Sequence, residues 1–90
     1  MEKRVVITGI GALTPLGNDI PTSWENLIAG KNGIAKITKF DTSNSKVNIA
    51  AEVKGFDPLQ YIEKAQVRKL DRFTQYAIAA SAQAMQDSGI

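Results

Sequence analysis

The feature that most constrains the fold is a helical run near the C-terminus that carries no charge. Residues 73–85 read FTQYAIAASAQAM, and residues 77–84 include no charged side chain. A helix on the surface of a small domain normally presents a charged stripe to solvent. Small residues on every side therefore predict a helix packed between other layers. An alanine-rich surface helix is the alternative, because alanine has the highest helix propensity.

A chain of 90 residues cannot supply such layers by itself. A domain of this size buries only roughly 60–65% of the surface that its unfolded chain exposes. We therefore expect residues beyond Ile90, or a partner subunit, to cover the helix. Its predicted span is 71–88, with Asp71 as the N-terminal cap and Gly89 as the terminator.

Two segments are predicted to be strands. Residues 5–8 read VVIT, and a continuous apolar and β-branched run is typical of a strand that is buried on both faces of a parallel or mixed sheet. Residues 47–53 alternate less cleanly and predict a second strand. The elements therefore indicate an α/β fold.

Two shorter helical elements are predicted between the strands and the long helix. Thr22 and Glu25 have the spacing of a capping box, and Gly30 is predicted to end the helix that follows. The apolar stripe of this helix comprises Trp24, Leu27 and Ile28. Asp57 followed by Pro58 predicts the start of a short helical turn.

Composition excludes several classes of function. The chain contains no cysteine, which rules out disulfides and thiolate metal sites, and no histidine. A net charge of +2 is too small for the basic surface of a nucleic-acid-binding protein. No apolar run reaches the length of a membrane span, and the N-terminus does not fit a secretory signal. We therefore expect a cytoplasmic protein that binds neither nucleic acid nor membrane.

Gly9-Ile10-Gly11 after the first predicted strand resembles part of a dinucleotide-binding fingerprint. That fingerprint needs a third glycine three residues later, where this chain has Thr14, and a helix that starts close behind. The next predicted helix starts only near Pro21. A glycine-rich exit packed against other backbone is the better interpretation.

Basic residues precede the long helix. They are Lys64, Arg68, Lys69 and Arg72. If the segment is helical, Lys64, Arg68 and Arg72 share one face at a spacing of four residues. The cluster predicts either a solvated face, partly neutralised by Glu63 and Asp71, or a docking surface for an acidic partner.

Six segments in this order resemble the β-ketoacyl-acyl-carrier-protein synthases. They are residues 4–18, 24–34, 40–43, 56–58, 68–77 and 83–89. The resemblance covers essentially the whole chain and is greatest to the elongating synthase II group of bacterial fatty acid synthesis. Ketosynthases of polyketide pathways share the opening pattern and remain an alternative. A free-standing α/β module that docks an acidic partner is a second alternative.

The resemblance implies that residues 1–90 are the N-terminal portion of a ketosynthase domain. The fold would be thiolase-like, with α-β-α-β-α layers that are incomplete in this chain, and the uncharged helix would lie in the central layer. The family is dimeric and condenses an acyl thioester with malonyl carrier protein, with loss of carbon dioxide. It uses one cysteine and two histidines. This chain has none of them, so we expect no catalytic residue, no cofactor, no metal and no activity from this piece alone.

One functional feature of the family does fall within this chain. Basic residues just before the central helix help to dock the acidic acyl carrier protein in the family. Arg68 and Lys69 match that motif, and Lys64 lies nearby in the chain. The resemblance therefore implies a carrier-docking surface at Arg68, Lys69 and Lys64.

Overall fold

The structure is a computed structural model and describes residues 2–90. Its elements are α1 (Ile20–Ile28), β1 (Ile34–Lys36), β2 (Ile49–Ala51), a 3₁₀ turn (Pro58–Gln60), α2 (Lys64–Val67) and α3 (Arg72–Ser88). They fall into two compact units, one formed by the residues up to Ala12 with Asp57–Ile90 and the other by Leu13–Phe56.

The first unit is organised around α3. This helix ends as predicted, because Gly89 adopts a left-handed conformation with φ 74°. Asp71 precedes the helix in extended conformation, although its side chain makes no capping hydrogen bond. The predicted turn after Asp57 is also confirmed, since the Asp57 carboxylate accepts a hydrogen bond from the Leu59 N–H.

Residues 9–12 lie along one side of α3. The Ile10 N–H donates to the Asp87 carboxylate and the Ala12 N–H donates to the Gln83 side-chain oxygen, each over 3.0 Å. Two residues along this segment therefore match four residues of the helix, which rise about 6 Å. Gly9 and Gly11 alternate with these donors and face the helix. A Cβ atom on either glycine would approach helix backbone more closely than 3.0 Å.

The predicted strand at residues 5–8 is not present. Residues 2–10 form no ladder within the described chain, and the side chains of Val5 and Ile7 are 95% and 85% exposed. A strand exists only where a neighbouring strand accepts and donates its backbone hydrogen bonds. Nothing within residues 2–90 supplies that neighbour for this segment.

Within residues 2–90, α3 is covered on one side only. Gln75 and Ala79 are buried, whereas Phe73 is 73% exposed and Met85 is 53% exposed. Within residues 2–90, Ile62 and Ala79 are the only buried apolar residues. The described chain therefore leaves a large apolar surface uncovered, and the sandwiched position of α3 stays a prediction.

The second unit contains a small antiparallel sheet. β1 pairs with β2, with Ala35 opposite Ala50. The prediction of a strand at residues 47–53 is confirmed in its centre, while β1 was not predicted. The Lys54 ammonium group donates to three backbone carbonyl oxygens, those of Pro15 at 3.1 Å and of Gly33 and Glu52 at 3.2 Å. One side chain thus joins three separate segments of this unit.

α1 begins one turn earlier than predicted. Its N-terminal cap is Asp19, whose carboxylate accepts a hydrogen bond from the Thr22 N–H at 2.7 Å. The capping box at Thr22 is therefore wrong, since Thr22 is already inside the helix and Pro21 occupies its first turn, where a missing N–H costs nothing. The predicted end is confirmed, because Gly30 follows the helix with φ 75°.

Removing the Asp19 carboxylate should measurably weaken α1. Asp19→Ala is expected to lower the free energy of unfolding by about 1 kcal/mol at neutral pH, whereas Asp19→Asn keeps the acceptor and should lose less. The hydrogen bond from the Thr22 backbone holds the pKa of Asp19 below its ordinary value of 3.8. The contribution of the charge is therefore complete above 3.8 and is lost as the pH falls through the lower folded-state pKa. Denaturant titrations in neutral and acidic buffer test this, and equal losses in both variants would contradict it.

Candidate functional site

The basic segment before α3 is not one continuous helix. α2 ends at Val67, and Arg68 caps its C-terminus with helical φ and ψ of −70° and −20°. Asp71 is extended, with ψ 157°, and Arg72 opens the next helix. The predicted shared face of Lys64, Arg68 and Arg72 is therefore wrong for Arg72, because the backbone changes direction between the two helices.

The structure brings two of the three predicted docking residues together. Lys64 and Arg68 are one helical turn apart and, with Ala65, line an open concavity of about 490 Å³. Lys69 follows Arg68 in the chain and is exposed. Within residues 2–90, no ion pair joins these cations to Glu63 or Asp71. Three positive charges on one exposed segment would favour the approach of an acidic partner.

Gln75 lies behind the basic segment and was missed by the sequence analysis. Its side chain is only 5% exposed, and its Nε2 donates to the carbonyl oxygens of Val67 and Leu70, both at 3.1 Å. These two carbonyls flank Arg68 and Lys69 in the chain. The only signal in the sequence is a long polar side chain four residues beyond Asp71 on the same helical face as Ala79.

A second concave region lies in the other unit. It has a volume of about 380 Å³ and is lined by Thr14, Pro15, Leu16, Gly17, Asn18, Asp19, Thr22 and Lys54. Its one cation is Lys54, whose donors already bind backbone carbonyls. Among its lining residues this region therefore offers no uncommitted cation to an anionic ligand. Hydrogen bonds of the Thr14 and Asn18 side chains to backbone groups hold the segment in place.

The described residues hold no recognisable reaction centre. The chain contains no thiol and no imidazole. Within residues 2–90, no group of three or more acidic side chains is placed to hold a metal ion. No helix in the same range is both long enough and apolar enough to cross a bilayer. The exposed basic segment is accordingly the strongest candidate for function in this part of the chain.

Comparison with known proteins decides the family. A family model described as "Beta-ketoacyl synthase, N-terminal domain" matches residues 2–90. The chain belongs to the β-ketoacyl synthase family. It is 54% identical over 87 residues to 3-oxoacyl-[acyl-carrier-protein] synthase 2 of Staphylococcus aureus strain COL, covering 97% of this chain and 21% of that protein. The same-named protein of Vibrio cholerae is 51% identical over 89 residues, covering 99% and 22%.

Two solved structures show that the fold is that of β-ketoacyl synthases. The ishigamide ketosynthase/chain length factor aligns with TM-score 0.90 and 36% identity, over 100% of this chain and 22% of that one. A type II PKS ketosynthase in complex with its acyl-carrier protein aligns with TM-score 0.72 and 34% identity, over 99% and 23%. The helices and small sheet of this chain are thus an incomplete part of the α/β thiolase-like fold. The rejection of a dinucleotide-binding fingerprint at Gly9-Ile10-Gly11 agrees with this family membership.

Most of each relative lies outside the matched region. This β-ketoacyl synthase segment spans about a fifth of the length of the curated relatives it matches. The matched fifth contains the basic segment but no cysteine or histidine.

Proposed function

We propose that this chain is the N-terminal portion of the ketosynthase domain of a 3-oxoacyl-acyl-carrier-protein synthase 2. The identity of 54% over 97% of the chain to proteins of that name carries the proposal. The complete enzyme would condense an acyl thioester with malonyl carrier protein, releasing carbon dioxide, in fatty acid elongation. We further propose that it acts as a cytoplasmic homodimer.

Within that enzyme, this segment binds the carrier protein and does no chemistry. The condensation needs an activated thiol nucleophile and donors for a developing oxyanion. Residues 1–90 provide neither a thiol nor an imidazole, so these groups come from the remaining four-fifths of the enzyme. Residues 1–90 alone are inactive.

Arg68, Lys69 and Lys64 dock the acyl carrier protein. Two observations support this assignment: the three cations are exposed on one segment without a neutralising ion pair in residues 2–90, and a related ketosynthase has been solved in complex with its acyl-carrier protein. Exposed charges at the rim of an interface act mainly on the association rate and on orientation. We therefore expect binding to weaken as ionic strength rises.

Reversing two of these charges tests the docking surface. In the complete enzyme, Arg68→Glu with Lys69→Glu should raise the KM for malonyl carrier protein about tenfold or more, because like charges then face each other. The kcat and the KM for a malonyl-pantetheine thioester should not change. Steady-state kinetics at low and moderate salt measure both substrates.

The matched control is Lys31→Glu with Lys46→Glu. It changes the net charge equally, and both lysines are exposed in the other unit. An unchanged KM for carrier protein in the Arg68/Lys69 variant, or an equal rise in the control, would remove the docking assignment.

A ketosynthase of a polyketide pathway is the second candidate. The similarity to the ketosynthase of a type II PKS, at TM-score 0.72 and 34% identity, favours it. The two candidates differ in their products. One condensation per acyl chain supports the fatty acid enzyme, whereas repeated unreduced condensations on the same chain, seen by mass spectrometry, would support the polyketide enzyme.

A further inference from the structure

The Gln75 side chain binds two carbonyl groups that flank Arg68-Lys69 in the basic segment, those of Val67 and Leu70, which we call the anchors. Val67 is the last residue of α2 and Leu70 is two residues before the start of α3, so both carbonyls lie where regular helical bonding stops. A single nitrogen, Gln75 Nε2, donates to both at 3.1 Å. The two anchors are therefore held close together, and the dipeptide between them is Arg68-Lys69.

The orientation of the Gln75 amide follows from its partners. Carbonyl oxygens only accept hydrogen bonds, so the NH₂ group and not the oxygen must face them. The opposite atom, Gln75 Oε1, is buried and accepts no hydrogen bond within residues 2–90. A buried acceptor without a donor lowers stability, and an apolar side chain of the same size would avoid that cost. The favourable contribution of Gln75 to the structure therefore comes from the two hydrogen bonds that its Nε2 donates.

We propose that Gln75 is a positioning residue for docking of the acyl carrier protein. Its side chain fixes the backbone that carries Arg68 and Lys69. The inference rests on the docking function proposed above. A turn that is already ordered does not have to lose conformational entropy when the partner binds. Gln75 is buried behind the segment and does not itself present charge to the partner.

Gln75→Met tests the role, because methionine has a similar length and no donor. In the complete enzyme, the KM for malonyl carrier protein should rise about fivefold as the two anchors are released and the docking geometry loosens. The kcat and the KM for malonyl-pantetheine should stay unchanged. Gln86→Met is the matched control, since Gln86 is exposed on the same helix, and it should alter neither KM.

Coupling to the basic residues separates positioning from a general structural effect. In an Arg68→Ala, Lys69→Ala background, Gln75→Met should add no further rise in KM, because the charges that it positions are gone. An undiminished rise in that background would overturn the inference. So would an equal loss of kcat with both substrates.

The inference and the docking function fail in different ways. If Gln75→Met has no effect while the Arg68/Lys69 charge reversal raises the KM, positioning by Gln75 is wrong and docking stands. If the charge reversal has no effect, the docking surface itself is wrong. Should Gln75→Met not fold, Gln75→Asn takes its place. Its amide is one carbon shorter and cannot reach both anchors, so it should give a smaller rise in KM for the carrier protein alone.

Discussion

Gly11→Ala is expected to lower the free energy of unfolding of the complete enzyme by about 3 kcal/mol, or to prevent its accumulation. A Cβ on Gly11 would meet the Ala80 carbonyl oxygen and the Ala84 nitrogen within 3.0 Å. Both atoms belong to the backbone of a long helix, so neither can move aside as the end of a flexible side chain would. The helix and residues 9–12 must separate, which breaks the bond from the Ala12 N–H to Gln83.

Gly30→Ala is the control that separates the steric clash of an added Cβ from the backbone cost of replacing a glycine. Gly30 has φ 75°, and no atom lies within 4 Å of the Cβ that would be added. Its replacement should cost only about 1 kcal/mol, from the left-handed backbone. Denaturant titrations of the two variants provide the comparison. If Gly11→Ala is no more destabilising than Gly30→Ala, the close approach of residues 9–12 to α3 is wrong.

The long helix was predictable because its signals are local. Asp71 and Gly89 mark its ends, and the structure places it at Arg72–Ser88. The prediction that Gly9 and Gly11 pack against other backbone is also confirmed, because both glycines lie against the backbone of α3. The missing third glycine and the late helix excluded a phosphate cradle, and this left contact with other backbone as the explanation.

Elements that depend on distant partners could not be read from sequence in the same way. Residues 5–8 have the composition of a strand, yet a ladder needs a neighbour, and residues 2–90 provide none. The predicted N-terminal cap of α1 was wrong for a different reason. Asp19 and Thr22 are both good N-cap residues, and only the backbone geometry shows that Asp19 accepts the hydrogen bond.

The charged residues of the candidate site were predictable from the sequence, but the backbone geometry that arranges them was not. Arg68, Lys69 and Lys64 were identified by residue type and by family resemblance. The break between α2 and α3 removes Arg72 from their face, because Asp71 is extended. Gln75 and Lys54 were missed because each acts through backbone carbonyls from separate positions in the chain, and sequence spacing does not reveal such contacts.

Lys54→Met is expected to lower the free energy of unfolding by about 2 kcal/mol. Methionine keeps the length of the lysine stem as far as Cε but loses the ammonium group that binds the carbonyls of Pro15, Gly33 and Glu52. A hydrogen bond to a charged group contributes about 1.5–3 kcal/mol to stability. Lys54 is exposed, so water replaces part of the loss, and the total stays well below three such bonds.

Two further lysine variants test whether the loss comes from the three-way contact. Lys36→Met removes an exposed lysine from β1 in the same unit and should change stability by less than about 0.5 kcal/mol. Lys54→Arg keeps the charge, but its planar fork does not converge on three carbonyls as an ammonium group does, so it should recover only part of the loss. Thermal and denaturant unfolding of all three variants measure the order. Full recovery by arginine would mean that positive charge alone matters at this position, because only the geometry of the donors differs between the two side chains.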